Sequence, residues 1–422
     1  MLAANARDGV DTITFAAGLE GRITLTEGEL AITDSVTILS DGRITISGDA
    51  NGDDILDGDG FTDVDQLKDA PGDRMSDNSR IFVLTGDDNV SALDGLTLTG
   101  GHAVGEFYSD DGGGVYSNAG LTTITGSNIS RNRLDTTDTG LGGDVYADGA
   151  LWIVSSTIAY NEIIGEDPFG GGVYNGGVST EIISSTIVGN RTVGDLVDYP
   201  ELVSAAGVYA DYAITITDSI IVGNIASSGG AEIAEYAEAD GGEGDGIITF
   251  TGQNIIGTNA SGYDASGLAN VRNGSLADLF SGGLADNGGP VQTIALSSQV
   301  SNPALDASNA MGTDARGEAR GVDLAGVANG GTSDLGAFEL QDQPRTFPEF
   351  TSPDFVSVAE NLTFVIDAEA IDAVESEGNG LTYSLFETVD SELFSVNAAT
   401  GVLTFNQAPD FENPQDANGK NL

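Results

Sequence analysis

The sequence predicts an all-β chain: a stacked solenoid over residues 1–340, a linker at 341–348, and a second module over 349–422. Three observations carry that prediction. Between residues 112 and 224 one pattern is written four times: a Gly-rich turn running into Val-Tyr (Val115-Tyr116, Val145-Tyr146, Val173-Tyr174, Val208-Tyr209), then an Asn fifteen or sixteen residues on (Asn132, Asn161, Asn190, Asn224). An Ile stands eight residues before each Asn (Ile124, Ile153, Ile182, Ile216) and another three before it (Ile129, Ile158, Ile187, Ile221). A period of roughly 30 residues with fixed apolar positions marks repeats that pack only on their neighbours. Finally, from residue 349 alternating strands recur at 8- to 20-residue intervals, which is sandwich spacing.

In chain order, residues 11–48 alternate Thr and Ile between Gly or Asp turns, the period-2 pattern of half-buried strands, and read as the first coils. Residues 49–78 break the rhythm with an Asp-rich excursion (Asp49, Asp53, Asp54, Asp57, Asp59, Asp63, Asp65). It resembles the start of a calcium loop, but Asp54 sits where such a loop wants Gly, so the stretch reads as a solvated acidic loop. Strands resume at Arg80, and Leu93 and Leu98 repeat the five-residue spacing of the later Ile pairs. After the four clear repeats, coils continue through Ile248 and Ile255 before the pattern decays. A solenoid needs an atypical end to hide its last apolar layer, and residues 284–340 read as that C-terminal cap.

Composition excludes several functions. With 66 acidic against 14 basic side chains the formal charge is -52, which leaves no Lys/Arg footprint for nucleic acid and disfavours anionic membranes. That much carboxylate calls for cations, so divalent ions are the expected partners. There is no Cys, hence no thiolate metal site, and no apolar run long enough to span a bilayer. The first residues lack the basic and apolar regions of a signal peptide.

The Thr12-Ile13-Thr14-Phe15 strand, the Gly-Gly-Gly-Val-Tyr turns, the Ser-Ser-Thr-Ile segments at 155–161 and 184–190, and the ending from Leu284-Ala285-Asp286-Asn287-Gly288-Gly289-Pro290 to Leu335-Gly336-Ala337-Phe338-Glu339 resemble a bacterial family of secreted right-handed parallel β-helices of the pectin-lyase-like fold. Residues 349–422 resemble a bacterial cadherin-like domain, a Greek-key β-sandwich, on Val358-Ala359-Glu360-Asn361, Ala399-Thr400-Gly401-Val402-Leu403 and Asp410-Phe411-Glu412. This second resemblance implies that Glu360, Asp410 and Glu412 bind calcium, with Asp372 opening the family's Asp-x-Asp pair. The second Asp of that pair is here Val374, and the 74 residues fall short of the roughly 100 of a full sandwich, so the domain reads as truncated. Together the resemblances imply a calcium-binding, adhesin-like segment of a longer exported protein, at the cell surface or secreted, with surface glycans or other surface proteins as partners.

Inside the coils the bland readings come first. The repeated Asn residues read as turn residues in left-handed backbone whose side chains hydrogen-bond from coil to coil. The Val-Tyr pairs read as a stack between coils. The rival function, a polysaccharide lyase or hydrolase, needs a base beside bound calcium or aspartates converging from adjacent coils. Arg131 and Arg191 read as solvated turn positions, Asp110, Asp111 and Asp144 as corner residues, and His102 as a turn residue without a partner in sequence. A carbohydrate-binding module would instead show exposed aromatics along one face, for which Trp152 is the lone Trp.

Overall fold

The structure, a computed structural model, describes residues 4–6, 9–50, 78–105, 111–197, 204–226, 231–235, 248–257, 270–341, 349–353, 355–371, 376–377, 380–386, 388, 390–410 and 412–413. Two compact units divide it: Met1–Ser297 with Ser301–Asp342, and Gln343–Leu422 with Ser298–Val300. The linker expected at 341–348 lies, apart from Gln341, outside the described residues.

The first unit is a parallel β-solenoid of about 5 turns, all its main ladders parallel. The repeat falls into register as the sequence spacing requires. Val115, Val145, Val173 and Val208 pair in one column. Ile124, Ile153, Ile182 and Ile216 pair in a second. Ile129, Ile158, Ile187 and Ile221 make a third. All twelve side chains are fully buried in one continuous core. Earlier coils extend the same columns, Ile38 and Leu93 onto Ile124, Ile46 and Leu98 onto Ile129. Because side chains alternate along a strand, each Ile between polar neighbours points inward, and each coil's layer is completed only by the next. A separate five-stranded sheet, from His102–Gly105 through Ile225–Ala226, forms another wall.

The turns explain the glycines. Gly112, Gly142 and Gly170 open the Val-Tyr turns at φ 72°, 71° and 70°, where an L side chain is strained. A Cβ on Gly113 would lie 2.4 Å from the carbonyl oxygens of Arg133 and Gly143, so that corner also admits no side chain. The left-handed residue of the other turn is not the Asn but the one before it: Arg131, Tyr160, Gly189 and Gly223, with φ between 58° and 71°.

The segment expected as a cap packs on the side of the solenoid. After the short helix Leu276–Leu279 and the antiparallel pair Phe280–Ala285 and Thr293–Leu296, it runs along the solenoid's flank. Leu279, Phe280, Ile294, Leu296, Leu305 and Phe338 form a second apolar cluster against Ala159, Val188, Ile220, Val222 and Ile255. Hydrogen bonds pin it to successive coils: Gly336 N–H donates to Asp218 O (2.9 Å), Ala337 N–H to Thr186 Oγ1 (3.0 Å), and Ser155 Oγ to Thr313 O (3.3 Å). Asp286 reaches as far back as Arg43 in an ion pair. The sequence marks where the repeat stops, but the side on which the segment lies is a tertiary outcome.

The second unit contains an antiparallel sheet of Phe364–Asp367, Val402–Phe405 and Phe394–Val396, and an antiparallel pair of Glu349–Phe350 with Ala370–Ile371. These pairings fit a β-sandwich.

Candidate functional site

Among the described residues, the one cluster of acids placed to hold a metal ion is Glu360, Asp410 and Glu412, whose ligand atoms all lie within 4.8 Å of one another. Local backbone chemistry makes that meeting. Asn361 takes left-handed backbone (φ 65°), and its N–H donates to Pro409 O at 2.9 Å, drawing residue 360 against residue 410. Asp410 Oδ1 accepts the Glu412 N–H (3.1 Å), and Asp410 O accepts the Asn413 N–H (3.1 Å), closing a turn that brings residues 410 and 412 together. All three carboxylates are exposed. Like charges this close repel, and a hard divalent cation with oxygen ligands would relieve the repulsion. Asp372 lies outside the described residues, as do Asp53 to Asp65 of the acidic excursion.

The coil's polar residues build ladders. Asn132, Asn161 and Asn190 donate their backbone N–H to Oδ1 of Asn161, Asn190 and Asn224 at 2.9, 3.0 and 2.9 Å. Their amides also donate to strand carbonyls of the preceding coil, as Asn161 Nδ2 does to Ile129 O (3.2 Å). A parallel ladder of Ser127, Ser156, Ser185 and Ser219 ends on Asn254, each N–H donating to the next side-chain oxygen at 3.0 to 3.2 Å. The first Ser of each Ser-Ser-Thr-Ile motif takes left-handed backbone (Ser155 and Ser184) and the second makes the rung, a role the sequence reading did not assign.

Two buried acids finish the Asn ladder. Glu232 accepts from the N–H groups of Gly223 (2.8 Å) and Asn224 (2.9 Å) and from the Asn224 amide (2.7 Å). Burial outweighs these donors and pushes its carboxyl up to about 7. Asp144 is fully buried and accepts from the Asn132 amide at 2.9 Å; burial raises it well above the ordinary carboxylate range. Both stand where sibling coils have Gly, as Gly172 and Gly207, which is the signal that could have singled them out. Asp111 is likewise buried, its Oδ1 accepting the Leu141 N–H; Asp110 lies outside the described residues.

Other expectations need correction. His102 is no loose turn residue: it is buried in a strand, its Nε2 3.3 Å from Asp135 Oδ2. Arg191 is no solvated turn residue either. Arg133 chelates Asp135 (2.7 and 3.0 Å), and Arg133 and Arg191 flank Glu162 at 3.7 and 3.2 Å. Burial raises Asp135, but hydrogen bonds from His102 and Arg133 win and hold its carboxyl below the usual range. These residues repeat at one corner because strands of the second sheet register His102 on Arg133, Arg133 on Glu162, and Glu162 on Arg191.

Aspartates of separate coils converge at one place. A Cβ on Gly176 would lie 3.6 Å from Asp148 Oδ1 and 3.8 Å from Asp211 Oδ2, so the glycine leaves two carboxylates facing across a gap. Tyr174 donates its hydroxyl to Asp211 (2.8 Å). Burial raises both acids, Asp148 further through Asp87 and Asp211 through Asp148. The aromatic column of the repeats is a stack largely hidden from solvent. The Tyr116, Tyr146, Tyr174 and Tyr209 rings stack face to face at 5.0 to 5.6 Å, the last three buried. Trp152 is 40% exposed but registers on Thr123 and Glu181. Comparison of the chain with family models, with curated proteins and with solved structures finds no match.

Proposed function

We propose that the chain is a structural, adhesin-like segment of a larger exported bacterial surface protein, with calcium bound at Glu360, Asp410 and Glu412. The observation that carries the reading is the convergence of these three carboxylates within 4.8 Å. Among the described residues no basic side chain forms an ion pair with these three carboxylates, and oxygen-only ligands suit calcium. The solenoid serves as a spacer: its length comes from repeats that each stabilise the next, and its surface acids keep it soluble and apart from anionic polymers. Calorimetric titration with calcium tests the site. The native chain is expected to bind, and Glu360→Gln/Asp410→Asn/Glu412→Gln to lose that binding. Equal binding by both chains would place calcium elsewhere, and no binding by either would remove it as a cofactor.

A second reading, a carbohydrate-active enzyme, draws on Asp148 and Asp211 beside Gly176, since glycoside hydrolysis uses two facing carboxyl groups. Its measure is release of reducing ends from neutral polysaccharides that Asp148→Asn and Asp211→Asn each abolish; no release from any polysaccharide ends that reading.

A further inference from the structure

Phe386 is the most exposed aromatic side chain among the described residues, 89% open to solvent. With Leu385, Phe394 and Leu403 it lines an open groove of about 300 Å³ in the second unit, to which Asp390 and Ser391 add polar groups. Two pieces of chain make the groove. The strands Phe394–Val396 and Val402–Phe405 pair antiparallel, Phe394 on Phe405 and Val396 on Leu403, so these apolar side chains share one face of the sheet. All four are only half-buried. Before the first strand, Ser391 Oγ donates to Thr388 O (2.8 Å) and accepts the Thr388 N–H (3.2 Å), tying the chain after Phe386 into a tight turn.

Three features define what would fit. Phe394–Val396 lies at the edge of its three-stranded sheet and pairs on one side only among the described residues. A strand edge with a free side is a template for another extended segment, and a pocket beside it reads one of that segment's side chains. The groove's size is at the small end of ligand sites, which suits a single aromatic or branched aliphatic side chain. Charge narrows the choice further. Asp390 lines the groove, Glu392 is exposed in the adjoining turn, and the described residues of this unit include no Lys or Arg. A second copy of the chain would bring like charge to this edge, whereas a basic segment is complementary to it.

We propose that the edge strand Phe394–Val396 takes on an extended basic and apolar segment of a partner protein. The segment pairs strand to strand and places one aromatic or aliphatic side chain in the groove beside Phe386. A Lys or Arg two residues away, on the same face of the segment, is drawn to Asp390. Main-chain hydrogen bonds then supply affinity, and the groove and the carboxylate supply the choice of sequence. Glu360, Asp410 and Glu412 do not line the groove, so segment binding and calcium binding are tested apart.

The test titrates the full chain into a fluorescent peptide with blocked ends, Thr-Lys-Thr-Phe-Thr-Lys-Thr, and reads anisotropy. Saturable binding is expected. Ala in place of the peptide's Phe, or Phe386→Ala in the chain, should weaken it about tenfold. Phe386 is so exposed that its removal leaves the fold in place. Asp390→Asn should weaken binding about threefold, the measure of an exposed ion pair. A strongly acidic chain also collects basic peptides without a site. Equal binding of the Phe and Ala peptides, or by native and Phe386→Ala chains, would therefore overturn the proposal. A peptide N-methylated at alternate residues keeps its side chains but loses strand donors, and equal binding of it would overturn strand addition. Absence of saturable binding would end the proposal as well. So would self-association of the native chain that Phe386→Ala abolishes, which would give the groove to a second copy.

Discussion

A single residue, Glu232, shows how the coil handles a problem of direction. Every ladder Asn offers its N–H and amide donors to the Oδ1 of the next coil, so the last one, Asn224, needs an acceptor that is no longer an Asn. Glu232 Oε2 takes both donors, and Oε1 takes the Gly223 N–H. The carboxyl is raised from 4.5 to about 7 because burial penalises its charge more than the donors reward it. The linkage sign follows: between those values the folded chain holds a proton that the unfolded chain has released, so stability falls as pH rises from about 4.5 to about 7 and is level above. The shift corresponds to on the order of 3 kcal/mol. Asp334, likewise raised to about 7 by burial, adds in the same direction. Melts from pH 4.5 to 8 should therefore show a declining Tm, and Glu232→Gln should flatten part of the slope while leaving the ladder an amide oxygen. An unchanged slope in that variant would mean Glu232 is paired in a way that keeps it ionised throughout.

At the scale of the element, each coil is held by three inward apolar columns and two polar rungs, and these differ in how they fail. Asn190 accepts from the Asn161 N–H and amide and donates to Asn224 and to Ile158 O. Asn190→Ala orphans buried donors on one coil and acceptors on another, so a loss of about 3 kcal/mol is expected. Ser185→Ala removes the acceptor for one N–H and one donor to Ile183 O, and should cost about 1 kcal/mol. Urea unfolding checks the order; equal costs would mean that water replaces the Asn amide. The columns and the Tyr stack were legible because position alone, Ile at two fixed offsets from each Asn, decides which side chains point inward. The Asn rungs were legible too, but their left-handed turn residue was not, since Arg131, Tyr160, Gly189 and Gly223 put three residue types at one position. His102 was misjudged because its partner Asp135 is a coil away, at a separation that only the register of the second sheet supplies. Of the proposed metal ligands, Glu360 and Asp410 lie 50 positions apart in sequence; their meeting depends on the Asn361 to Pro409 hydrogen bond, which no local pattern announces.

At the scale of the whole molecule, the two units carry very different cores. The solenoid's apolar columns run without a break through its coils, whereas in the second unit Leu381 and Tyr383 are the buried hydrophobics among the described residues. Phe355 and Phe386 there are 82% and 89% exposed. A unit with so little buried apolar surface has little to set against chain entropy, and repelling carboxylates at Glu360, Asp410 and Glu412 weaken it further. Heating should therefore give two transitions, the lower belonging to the second unit. A cation that binds only the folded site stabilises it by about 2.7 kcal/mol at one hundred times its dissociation constant. For a unit of this size that is a rise of about 10 °C or more. Calcium is expected to move the lower transition by that order and leave the upper one in place, and Asp410→Asn should abolish the shift. Sodium chloride, which only screens the repulsion, should raise both transitions modestly. A calcium shift confined to the upper transition would assign the ion to the solenoid and leave the three carboxylates as solvated turn residues.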